Sequence, residues 1–253
     1  MNRFSLRPIR SNSTIVLFLL VFLSPALWSI DKESIDLNDR GMEYYYIDDF
    51  ITASLFFLDA IEVDDTNYLA HYNLACTMCL IREKYSPCDM YGPNGRFDVR
   101  RTTILHHLTR SVALKESRRE RLLEDSDLSC MHTTLAFHRL AGRSLTDPED
   151  AQKILPAVTW TLEKENTTSD IPSGTIDFHE DRTLEIDFWG LKEPLRGGGS
   201  YTIAPETILL DFSDGATSSG RPRELTIEEG KGLNIILEDQ RFLITNRLRE
   251  CGD

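Results

Sequence analysis

Thr183-Leu184-Glu185-Ile186-Asp187-Phe188 alternates polar and apolar residues without a break. Successive side chains of an extended strand point to opposite faces, so this stretch reads as a strand with one wet and one buried face. The alternation continues outward. Upstream, Val158, Trp160 and Leu162 alternate with Thr159, Thr161 and Glu163, and Ile176 and Phe178 alternate with Thr175 and Asp177. Downstream, residues 201–203, 208–212, 225–227, 233–237 and 242–244 read as further strands. The connections carry turn chemistry at Glu180-Asp181, Ala204-Pro205, Asp214-Gly215, Gly230-Lys231-Gly232 and Asp239-Gln240. Residues 154–247 therefore hold about eight short antiparallel strands, closing as a barrel or a two-sheet sandwich. Arg196-Gly197-Gly198-Gly199-Ser200 reads as a flexible strand connection. It lacks the Gly-Lys-Ser/Thr ending of a phosphate loop, and no helix follows it.

Before Asp147-Pro148 the spacing is helical. Helices are predicted over residues 35–46, 49–63, 66–81 and 102–114. In the second, Ile51, Leu55, Leu58 and Ile61 recur at helical spacing, as do Ala53, Phe56, Phe57 and Ala60. Asp64-Asp65 breaks that run. Residues 85–101 form an insertion whose Pro87, Gly92, Pro93, Asn94 and Gly95 cannot continue a helix. Residues 116–141 read as a polar helical tail that closes the open apolar end of the array. The helical part spans residues 32–146.

Residues 34–67 resemble one tetratricopeptide repeat, a helix–turn–helix unit of about 34 residues. Gly41 and Tyr44 match the family's Gly-x-x-Tyr, and Ala53, Phe57 and Ala60 match the small, aromatic and small positions of its second helix. Leu37, Arg40 and Asp65 stand where the family usually has Trp, Leu and Pro. A second unit begins near Tyr68, with Leu74-Ala75 and then Ile104, Leu108 and Ser111 in the matching slots. The resemblance implies about two repeats and a role in protein–protein contact. It also implies a groove lined by the first helix of each repeat: Asn38, Met42, Tyr45 and Tyr46, then Leu69, Tyr72, Cys76 and Cys79. The β part is similar to lipocalin-like bacterial β domains in Trp160, Gly199-Ser200-Tyr201 and Asp214-Gly215. That similarity implies an alternative role as carrier of a small apolar ligand inside the barrel. The expected fold class is α+β and multidomain.

The N-terminus carries a separate signal. Arg3, Arg7 and Arg10 precede an unbroken apolar run over residues 15–23, then Ser24, Pro25 and Ala26, with no acidic residue before Asp31. This is the pattern of a secretory signal peptide over residues 1–26, cut after Ala26 or after Ser29. The apolar run is shorter than the roughly 20 residues of a spanning helix, and Pro25 interrupts it. An uncleaved anchor is the minority reading. The expected location is periplasmic or extracellular, with no stable membrane span after cleavage. Net charge is −13. Nucleic acid and anionic membrane surfaces are therefore poor partners, because binding them needs a positive patch. An acidic ligand is disfavoured for the same reason, unless one local pocket departs from the average.

Chemistry-bearing residues are few. The cysteines are Cys76, Cys79, Cys88, Cys130 and Cys251. In an exported chain, one or two disulfides with a thiol left over are permitted. Cys76 and Cys79 share a helix face, and three readings stay open: structural thiols, a disulfide that involves Cys88 or Cys130, and metal or redox work. A zinc site needs about four ligands, and no second tight pair is present. The redox motif normally opens a helix rather than sitting inside one. Cys76, Cys79, Cys88 and Cys130 are the disulfide candidates. The adjacent His106 and His107 point in different directions and read as surface and core groups. No Gly-x-Ser-x-Gly or His-Glu-x-x-His is present, and Asp214-Gly215-Ala216 lacks the Asp-Thr-Gly form of an aspartic protease. The chain thus reads as non-catalytic, without cofactor or metal, and as a scaffold for another envelope protein or peptide.

Overall fold

The computed structural model describes residues 29–85, 98–163, 173–191, 195–212, 222–237 and 240–246. The signal pattern of residues 1–26, most of the 85–101 insertion, Cys88, Cys251 and Asp214-Gly215 lie outside them. Helices come first and a closed eight-stranded antiparallel barrel follows.

Among the described residues, four helices come first: α1 (Lys32–Tyr45), α2 (Phe50–Val63), α3 (Tyr68–Lys84) and α4 (Arg101–Leu114). Each packs against the next. Side-chain caps start the first three. Asp31 accepts from Glu33 N, Asp49 from Thr52 N and Asn67 from Ala70 N, which satisfies backbone donors that a helix start leaves open. Small residues set the approach of α1 to α2. A β-carbon on Gly41 would lie 2.5 Å from the Phe57 ring, so only glycine admits that fully buried ring. Ser34 Oγ donates to Ala60 O at 2.7 Å and accepts from Asn67 Nδ2 at 2.8 Å, tying three helices together. Ser111 Oγ donates to Tyr68 O at 2.8 Å and links α4 to α3.

After α4 the chain departs from the expected polar helical tail. Two short 3-10 stretches, Glu116–Arg121 and Ser126–Met131, precede a one-and-a-half-turn helix α5 (Leu135–Leu140). They pack against α3 and α4, the last two helices of the array. Their apolar residues explain this. Leu122, Leu128 and Met131 are fully buried in the helical core, and they do not recur at the spacing that would line one side of a regular helix.

A sixth helix, α6 (Pro148–Ala157), occupies residues where the alternation was expected to begin. Asp147 caps it by accepting from Glu149 N and Asp150 N, and Pro148 fills the first turn. Its Ala151, Ile154 and Leu155 are fully buried within the barrel's core cluster. Val158 ends this helix, and the first strand starts only at Trp160.

The strands are β1 (Trp160–Glu163), β2 (Ser173–Phe178), β3 (Thr183–Trp189), β4 (Leu195–Ala204), β5 (Thr207–Asp211), β6 (Glu224–Glu228), β7 (Gly232–Leu237) and β8 (Gln240–Thr245). Each pairs with the next, and β1 pairs with β8, so the structure is a barrel and not a sandwich. Closure gives every strand a neighbour on both sides. The glycine run Gly197-Gly198-Gly199 is not a connection. It lies inside β4, with Gly197 opposite Ile186 and Gly199 opposite Leu184. A β-carbon on Gly199 would stand 2.4 Å from Asp211 O, so this strand approaches its neighbour too closely for any side chain there.

Inward positions fill the barrel. Trp160, Ile176, Phe188, Ile208, Leu225, Leu233 and Ile244 are all 0% exposed. Helices α1 to α4, with the 3-10 segment, keep a core cluster separate from that of the barrel and α6. Asn246 stitches them together, accepting from Leu135 N at 3.0 Å and donating to Thr133 O at 3.1 Å and Thr159 O at 2.8 Å.

Candidate functional site

The groove residues implied by the repeat resemblance do not form an open surface. One stripe of α3 carries Tyr72, Cys76, Cys79 and Glu83, and the segment 116–131 lies along it. Tyr72 Oη donates to Asp125 Oδ2 at 2.7 Å. The Cys76 thiol is 3.9 Å from the same oxygen. Cys79 is disulfide-bonded to Cys130. Glu83 Oε1 accepts from Ser129 Oγ at 2.5 Å. From α1, the Tyr45 hydroxyl donates to Asp127. The Arg118 guanidinium sits over the rings of Tyr68 and Tyr72, at 5.3 and 5.2 Å. Asn38 is buried and accepts from Asn73 Nδ2 at 2.9 Å. Met42 and Leu69 are half-buried. Tyr46 is the exception at 75% exposed.

The four cysteine candidates part company. Cys79 and Cys130 are bonded, Cys76 is a buried free thiol, and Cys88 lies outside the described residues. Burial pushes the Cys76 thiol well above its ordinary pKa, and Asp125 and Asp127 push it further. It stays protonated and is a poor nucleophile. Burial also raises the Tyr45 and Tyr72 pKa values, reinforced by the hydrogen bonds to Asp127 and Asp125. Cys76, Asp125 and Asp127 do bring three donor atoms within 4.8 Å of one another. That set mixes one soft protonated thiol with two hard carboxylates. With Asp125 and Asp127 each accepting a tyrosine hydroxyl, the group clasps the segment against α1 and α3.

A histidine pair was not legible in the sequence. His71 on α3 and His107 on α4 meet with Nδ1 atoms 3.0 Å apart. His71 Nε2 faces the Asp65 carbonyl at 3.2 Å, which requires its proton there. His71 Nδ1 then accepts, and His107 Nδ1–H donates. The exposed His106 is next to this pair but not part of it. Burial, then His71 and His106, lower the His107 pKa from 6.5 to about 4, while Asp65 and Asp98 pull the other way. His71 is lowered too, chiefly by burial.

Between about pH 6.5 and pH 4 the unfolded chain protonates His107 while the native state keeps it neutral. Stability is therefore complete above the unfolded value and falls as the pH drops through that window, by on the order of 3 kcal/mol at the bottom. Thermal melts across the window are expected to show a steeper acid loss for the native chain than for His107→Gln. Parallel curves would remove the pair as the cause.

No family model, curated protein or solved structure matches this chain. Among the described residues, no helix is long and apolar enough to cross a membrane.

Proposed function

We propose that this chain is a non-catalytic exported protein of the cell envelope that acts as a protein–protein interaction module through its tetratricopeptide-like helices. The carrying observation is an exposed apolar rim beside a groove that is already filled. Tyr46 and Ile47, in the turn between α1 and α2, are 75% and 70% exposed. Tyr46 meets Tyr45 edge-on at 5.8 Å, Tyr45 meets Phe50 at 5.7 Å, and Lys84 lies 5.8 Å from the rings of both Phe50 and Tyr85. The rim thus runs from the turn to the end of α3. Exposed aromatic side chains offer contact area at low entropic cost. Glu43, Asp48 and Asp49 flank it in sequence, which suits a partner segment that combines apolar with basic residues. Export is supported by the pattern of residues 1–26, and a disulfide between Cys79 and Cys130 suits an oxidising compartment.

The carrier alternative gains no support from the barrel, whose inward side chains leave no accessible surface at Trp160, Ile176 or Phe188. The interaction reading is tested by passing envelope extract over immobilised full chain and over Tyr46→Ser/Ile47→Ser. Both substitutions are in an exposed turn, so folding should be untouched. A protein retained by the native chain and lost from the double variant is the expected result. Identical retained sets would reject the rim as the binding surface.

A further inference from the structure

The acidic average of this chain has one local exception. A cleft of about 370 Å³ opens where the helices meet the barrel, and Arg119, Arg139 and Arg143 line it with Ser144, Thr146 and a single acid, Glu229. The arginines come from three places: the first 3-10 stretch, the last turn of α5, and the loop that follows.

Backbone geometry brings the last two together. Gly142 has φ +88°, a conformation that favours glycine. Gly142 N donates to Arg139 O at 2.9 Å and Arg143 N to His138 O at 2.9 Å. This paired closure ends α5 and folds Arg143 back beside Arg139. A β-carbon on Gly142 would sit 3.5 Å from Arg119 Cδ, so the turn also lies against the third arginine.

Each arginine has an acid nearby, Glu116 for Arg119, Asp150 for Arg143 and Glu229 for Arg139, but the contacts differ in quality. Among the described residues, Arg139 has no carboxylate in ion-pair contact. Its Nη1 donates to Gly230 O at 2.7 Å, and burial draws its pKa down. Arg143 Nε is 3.9 Å from Asp150, the edge of ion-pair range. Arg119 Nε is 2.8 Å from Glu116 Oε1 but misaligned, so this buried N–H has no hydrogen-bond partner. Arg119 Nε–H is thus a buried donor left without an acceptor beside this cleft. An oxyanion supplies the missing acceptor, since the guanidinium fork matches carboxylate and phosphate geometry.

We propose that this cleft binds a small anionic molecule bearing phosphate or carboxylate groups. The volume is at the small end of ligand sites, which suits a compact metabolite rather than a polymer. The site is independent of the rim at Tyr46.

The test titrates the full chain with inorganic phosphate and with citrate at low salt, followed by calorimetry. Saturable binding of either is expected, and the better of the two identifies phosphate or carboxylate chemistry. Arg139→Gln and Arg143→Gln should each weaken it by about tenfold, while Glu229→Gln should tighten it several-fold by removing a like charge. A merely structural role for the arginines does not predict that opposite sign. Unchanged melting temperatures confirm that the variants are folded. Failure of both anions to saturate, or equal affinity in the native chain and all three variants, would overturn the proposal.

Discussion

Replacing Cys79 and Cys130 together by alanine is expected to cost about 4 kcal/mol of stability in the helical part, the loop-closure value for a long loop. The bond spans 51 residues of sequence. It holds the segment 116–131 onto α3, and without it the unfolded chain regains the freedom of that whole loop. Alanine avoids burying an unpaired hydroxyl at Cys79, which is 0% exposed. Loss of the bond also loosens the Tyr72–Asp125 and Tyr45–Asp127 contacts, which depend on the segment's position. Calorimetry should show the helical transition lowered by roughly 10–20 °C. Reductant should lower the native chain equally and leave the double variant unchanged. Equal melting of native and variant chains in oxidising buffer would show that the cross-link contributes nothing.

Trp160→Ala should destabilise the barrel by about 4 kcal/mol. The ring is fully buried, meets Phe178 edge-on at 6.4 Å, and donates from Nε1 to Leu155 O at 3.0 Å. Alanine leaves a cavity in the barrel and a buried carbonyl at the end of α6 without its donor. Trp160→Phe restores part of the volume but not the hydrogen bond, so its loss should be intermediate. Urea unfolding followed by near-ultraviolet circular dichroism would read both. The helices have their own core cluster, so their transition should move much less. A loss below about 1 kcal/mol for Trp160→Ala would mean that the site collapses around the cavity.

Some of this architecture was legible because strand alternation is local. Leu184, Ile186 and Phe188 point inward for the same reason that they alternate in sequence. The helical periods of α1 to α4 were legible on the same terms. α6 also has a local signature. Asp147-Pro148-Glu149-Asp150 is a helix start, and Ala151, Ile154 and Leu155 have helical spacing. The alternation beginning at Val158 drew the boundary too early. The glycine run misled for a different reason. Flexibility is the usual meaning of three glycines, but here Gly199 permits the close approach of β4 to β5.

By itself, then, the sequence determined what depends on neighbours along the chain: helical and strand periods, caps, turns, and the order of helices before strands. The tertiary structure alone decided barrel over sandwich, because closure is the pairing of β1 with β8 across most of the β part. It decided the partner of Cys79, which is 51 residues away. It also decided the meeting of His71 with His107 and the convergence of Arg119 with Arg139 and Arg143. These are contacts between side chains distant in sequence, and no local period encodes them. They arise when the burial of two cores brings separate surfaces together, and the filled groove and the basic cleft are where that happened.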